Sequence, residues 1–167
     1  MAGLVRLAEL AEIAAAARKS LKLDSLGFRV SIPTSGSVKQ PSAIKLRAEY
    51  DYLMFELRTG FTALGGGTDT TDADAQDVDE VRINFTESGT GETVFSSDIE
   101  LSSLMSGHLC QPVPMDFRPW GHKFEAGTDL SCAVTMRANV TTARVLTIQI
   151  QCALAPKGLA DYYKGKK

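Results

Sequence analysis

Two clusters in this 167-residue chain hold side chains suited to metal chemistry. Gly65-Gly66-Gly67 opens a stretch containing Asp69, Asp72, Asp74, Asp77 and Asp79. Calcium takes several carboxylate and carbonyl oxygens at about 2.3–2.6 Å, so clustered aspartates have the right chemistry. The spacing lacks the Asp-x-Asp-x-Asp-Gly series of a helix-loop-helix calcium site. A solvated acidic loop accounts for the same composition, and the five aspartates stand only as calcium candidates. The second cluster is His108, Cys110, His122 and Glu125. Only two histidines exist in the chain, and Lys123-Phe124 fill the positions where a neighbouring ligand would be needed. No metal and no cofactor is expected.

Covalent catalysis needs a nucleophile beside a base. The chain has no Gly-x-Ser-x-Gly elbow, no Gly-Lys-Ser/Thr phosphate loop and no dinucleotide glycine fingerprint. Cys110, Cys132 and Cys152 form no Cys-x-x-Cys pair, which argues against a zinc knuckle or a redox centre. Cys132 and Cys152 fall on the apolar phase of strand-like segments, so they read as buried, reduced thiols, with adjacent strands as one placement. The expectation is a non-enzymatic protein.

Side chains suited to protein contact are better represented. In Gln111–Gly127, Pro112, Pro114 and Pro119 restrict the backbone around Phe117, Arg118 and the only tryptophan, Trp120. Trp, Phe and Arg carry much of the binding energy at interfaces. The same aromatics would also serve to cap one end of a sandwich, and the sequence leaves both readings of Trp120 open. A second contact candidate is the stripe Leu7, Leu10, Ala14, Ala17 and Leu21, spaced at three and four residues as on a helix face.

The elements that would hold these residues follow from hydrophobic period. Residues 1–22 read as a helical arm, with helix over 3–21, and 23–42 as a linker whose hinge is the Pro33–Pro41 turn chemistry. Residues 43–156 read as an antiparallel β-sandwich or jelly roll, mainly β, and 157–167 as a basic tail. One strand is expected from Ile44 through Tyr52, with a bulge or bend at Tyr52-Leu53 where the apolar phase slips. Val81-Ile83-Phe85, the alternating run from Leu130 to Met136 and that from Leu146 to Leu154 give further strands. The net charge of -2 favours neither nucleic acid nor an anionic membrane as partner. Arg6, Glu9 and Glu12 interrupt the first apolar stretch, which excludes a secretory core or a membrane span there.

The string Gly121-His122-Lys123-Phe124-Glu125-Ala126-Gly127 distantly resembles the metal motif of cupins, and departs from it at the missing histidines. Phe117-Arg118-Pro119-Trp120, Glu125-Ala126-Gly127-Thr128-Asp129-Leu130, Val134-Thr135 and Val145-Leu146-Thr147-Ile148-Gln149-Ile150 resemble the tail end of small jelly-roll proteins of tailed-bacteriophage particles. The likeness covers roughly the last third of the chain. It implies a virion structural protein of the capsid decoration or cement type, synthesised in the host cytoplasm and located on the capsid surface. It further implies the major capsid protein or other virion subunits as partners, and a homo-oligomer. Head–tail, tail and fibre-attachment roles, or a free carbohydrate-binding module, are the alternatives.

Overall fold

The computed structural model describes residues 4–6, 8, 11–12, 15, 22–63, 77–106, 111–112, 115–116, 118 and 120–157. The first sheet runs β1 (Leu4–Arg6), β10 (Trp120–Phe124), β4 (Tyr50–Ala63), β12 (Arg144–Pro156) and β2 (Lys22–Ile32), with β9 (Met115–Asp116) also on β4. The second sheet runs β3 (Ile44–Lys45), β11 (Asp129–Met136), β5 (Val81–Glu87) and β6 (Ile99–Glu100). A short ladder joins β7 (Met105–Ser106) to β8 (Gln111–Pro112). Every pairing among these strands is antiparallel.

Period-two sequence makes the layers. On β11, Leu130, Cys132 and Val134 are buried between exposed Asp129, Ser131, Ala133 and Thr135. On β12, Leu146, Ile148, Ile150, Cys152 and Leu154 point inward, and Val81, Ile83 and Phe85 do so on β5. Phe28 of the first sheet meets Phe85 of the second with ring centroids 6.1 Å apart. Both inner faces share one hydrophobic core, which makes the fold mainly β and a sandwich.

The pairing is nested: β2 with β12, β3 with β11, β4 with β10, β5 with β6. The corner between β10 and β11 carries the chain from the first sheet to the second, and buried carboxylates hold it. Glu87 accepts the Glu125 amide, and its Oε1 lies 2.9 Å from the Thr128 hydroxyl. Asp51 accepts the Ala126 amide at 3.3 Å. Gly127 adopts φ 78°, a left-handed conformation that favours glycine.

Four expectations change. Leu4–Arg6 is a strand on β10, with Leu4 opposite His122 and Arg6 opposite Trp120, so the stretch expected as helix from residue 3 begins as sheet edge. Ala8, Ala11, Glu12 and Ala15 have helical backbone and exposed side chains; Leu7, Leu10, Ala14, Ala17 and Leu21 lie outside the described residues. Second, Leu23–Ile32, expected within a linker, belongs to β2: eleven residues pair with β12, and Leu26, Phe28, Val30 and Ile32 are buried. Burying these four removes them from water, a gain that a free linker forgoes. Between β2 and β3 the irregular backbone runs from 33 to 43. Third, the Ile44–Tyr52 alternation spans two strands, because a turn at Ala48-Glu49 moves the chain from the second sheet to the first. The bulge lies at Phe55: Gln151 pairs with Glu56 and Cys152 with Met54, leaving Phe55 as the extra residue. Fourth, Cys132 and Cys152 are both buried and free, but on different sheets. Of the expected basic tail, Lys157 is described; its amide donates to the Glu49 carbonyl at 3.0 Å.

Candidate functional site

The outer side of the first sheet is where this chain offers polar groups in register. Pairing sets three rows across β4, β12 and β2: Glu56, Gln151, Ser25; Arg58, Gln149, Gly27; Gly60, Thr147, Arg29. Arg58, Gln149, Thr147, Ser25, Gly27 and Arg29 are exposed. Alternation produces this face, since the residues between them on β2 and β12 fill the core. Gly60 has a local reason: a Cβ there would fall 2.6 Å from Thr147 Oγ1, and the Thr147 hydroxyl donates to the Gly60 carbonyl at 3.3 Å.

At the β4 side the face ends in four charges. Glu56 stands directly opposite Asp116 of β9, an arrangement of like charges that would repel alone. Each carboxylate holds an arginine two residues on. Arg58 Nε donates to Glu56, and Arg118 grips Asp116 with Nε–Oδ1 2.8 Å and Nη2–Oδ2 2.6 Å. The Arg118 side chain and amide bond to Asp116 and hold its carboxyl at about 2, far into the ionised range. The paired carboxylates are therefore committed to arginines, and no free general acid remains between them. The repeat is visible in sequence as Glu-x-Arg at 56–58 and Asp-x-Arg at 116–118, although only the fold brings the two copies together.

The proline-aromatic segment leaves β4 at the same point. Met115-Asp116 pair with β4 on one side of the Phe55 bulge and His122–Phe124 on the other, while Trp120 and Gly121 pair with β1 instead. Arg118 is exposed on this excursion. Phe117 lies outside the described residues, and Trp120 is placed by its backbone pairing with Arg6.

The metal candidates do not converge. His122 sits on β10, its ring centroid 5.2 Å from that of Phe124 in an edge contact. Burial lowers its pKa, with Glu87 and Glu92 opposing the shift. Glu125 is exposed, and His108 and Cys110 lie outside the described residues. Asp77 is buried: its carboxylate accepts the Thr141 amide at 2.6 Å and hydroxyl at 3.0 Å and faces Arg144 at 3.4 Å. Asp79 is exposed; Asp69, Asp72 and Asp74 lie outside the described residues. Among the described residues, no three His, Cys, Asp or Glu side chains gather to hold a metal ion. Burial pushes the Cys132 and Cys152 thiols up to about 12, which suppresses the nucleophilic thiolate.

No family model and no curated protein matches the chain. A solved structure described as the cyanophage Pam1 capsid asymmetric unit is similar to it over 81% of this chain and 86% of that one, with a TM-score of 0.44 and 12% sequence identity.

Proposed function

We propose that this chain is a non-enzymatic virion structural protein that binds and stabilises a phage capsid as a decoration or cement protein. The observation that carries the reading is the nested pairing, β2 with the last strand, β12, and inward from there. Such nesting supports reading the sandwich as a jelly roll, an architecture used by viral capsid proteins, lectins and cupins. Fold alone does not choose among them. A cupin needs its metal ligands together, and His122 and Glu125 gather no such set among the described residues. A lectin site wants aromatics around a hollow, whereas the outer sheet face presents Thr, Gln, Ser and Arg. A face with hydroxyls, amides and charges of both signs suits another protein surface. The resemblance of the closing third to phage jelly-roll proteins points the same way.

In this reading the partner is the major capsid protein or another virion subunit, and the protein resides on the capsid surface after synthesis in the host cytoplasm. The contacts would come from the outer face, from Phe117, Arg118 and Trp120, and from the helical stripe Leu7, Leu10, Ala14, Ala17 and Leu21. Neither nucleic acid nor membrane is a partner in this scheme. The test is gradient sedimentation of particles from an infected-cell lysate, blotted with an antibody to the chain. The expected result is recovery with full heads in a fixed copy ratio. Recovery only in the slow soluble fractions, with none on heads, would refute it.

A further inference from the structure

A sheet edge left open is a template for further pairing, and folded proteins blunt such edges by shortness, by charge or by cover. Three edges here are blunted. β1 has three residues, and β3 and β6 have two each. Beyond Ile44, where β3 stops, the bare edge of β11 is met by a side chain. Gln40 Oε1 accepts the Val134 amide at 2.8 Å, and Gln40 Nε2 donates to the Val134 carbonyl at 2.7 Å. One glutamine amide thus stands in for a neighbouring peptide group.

β2 is long, and among the described residues Lys22, Asp24 and Arg29 are the only such devices along it. Its eleven residues pair with β12 on one side in an unbroken register, without bulge or proline, and no described strand pairs on the other side. It also carries Leu23, 77% exposed, the large apolar residue left most open among the described residues. We infer that β2 is a self-association edge, on which β2 of a second copy of this chain pairs antiparallel about a two-fold axis through Gly27.

Self-complementarity favours a second copy as the occupant. In the register that overlaps all eleven residues, Gly27 faces Gly27, Leu26 faces Phe28, Ser25 faces Arg29 and Leu23 faces Ser31. Residues of one face meet residues of the same face, as strand alternation requires, and the inward apolar Leu26 and Phe28 meet each other at the centre. Lys22 faces Ile32, Asp24 faces Val30 and Arg29 faces Ser25, so no like charges oppose. The interface is isologous, closing at two copies instead of propagating. It does not depend on the capsid reading: a dimer free in solution supports it whatever the blot of heads shows.

Sedimentation equilibrium of the full chain is expected to give twice the 18.0 kDa protomer mass. Ser25→Lys sets a lysine against Arg29 at two places per dimer and should weaken dimerisation about two- to thirtyfold, while Ser25→Glu should strengthen it. A purely structural effect of position 25 would not reverse sign with charge. A second measurement uses Gly27→Cys in a Cys110→Ser background. A Cβ at Gly27 meets only the Ile148 carbonyl, at 3.8 Å, so the residue is accommodated. Strand partners across an antiparallel pair have Cα atoms about 4.5–5.5 Å apart, within disulfide reach. Mild oxidation should cross-link Gly27→Cys and not Ser96→Cys in the same background. A chain that stays at protomer mass, a dimer indifferent to the charge at 25, open-ended polymers, or no cross-link at 27 would each overturn the inference.

Discussion

Asp77→Asn probes the buried tie between the end of the acidic segment and the closing strand. Asp77 and Arg144 are 1% and 4% exposed, so water screens the pair little. The carboxylate also accepts the Thr141 amide and hydroxyl. The substitution keeps the shape and removes the carboxylate charge that faces the buried Arg144 guanidinium at 3.4 Å. Breaking such a pair from one side costs about 3–5 kcal/mol. For a domain of this size each kcal/mol moves Tm by about 2–4 °C, so a fall of roughly 6–20 °C is expected by calorimetry. Replacing both partners, as Asp77→Leu with Arg144→Met, should cost much less than the sum of the single changes. The difference is the coupling energy of the pair. A Tm lowered by less than 2 °C in Asp77→Asn, or additive costs in the cycle, would refute the account and leave the Asp77 oxygens open to a calcium role.

Further outcomes follow from the same geometry. Cys132→Ser should destabilise by about 1–3 kcal/mol, because an unpartnered hydroxyl replaces a buried thiol, and both Cys132 and Cys152 should resist labelling by a thiol reagent at pH 8 until denaturant is added. His122 has a pKa lowered in the fold, chiefly by burial. The unfolded chain therefore takes up the proton first, and stability should fall as pH drops through about 6.5, a slope that His122→Gln should reduce in Tm measurements from pH 7.5 to 5. Deleting residues 1–32 removes four core side chains at about 1.5–3 kcal/mol each, of the order of a domain's whole stability; the truncated chain should show no cooperative melt by circular dichroism.

The legibility of the sequence varied for physical reasons. β11 and the middle of β12, Leu146 through Gln151, were plain because one face is buried and the other meets water, which is the condition for clean alternation. Leu26, Phe28, Val30 and Ile32 alternate as strictly. They follow directly on an alanine-rich helical stripe and precede a proline-bounded loop, and those neighbours suggested a linker. The Ile44–Tyr52 pattern continued through a corner because the turn at Ala48-Glu49 lacks Gly or Pro. The phase change near Tyr52 was visible but misplaced, since Leu53 and Met54, adjacent and on opposite faces, are both fully buried. For the site, the two acid-x-Arg repeats were legible as residues; their apposition across β4 and β9 is tertiary and leaves no trace in spacing.

One of the segments that resemble phage jelly-roll proteins, Glu125 through Leu130, has structural causes at nearly every residue. The Glu125 and Ala126 amides reach Glu87 and Asp51. Gly127 takes the left-handed conformation, Thr128 satisfies Glu87, and the Asp129 amide donates to Ser88 Oγ at 2.9 Å. A chain crossing from one sheet to the other at this corner needs these types whatever it binds. That likeness therefore speaks to the fold. On the outer face, Ser25, Arg29, Thr147 and Gln149 bear no core packing and are free to match a neighbouring surface. Substitutions there should separate binding from stability cleanly, whereas substitutions in the Glu125–Leu130 corner should not.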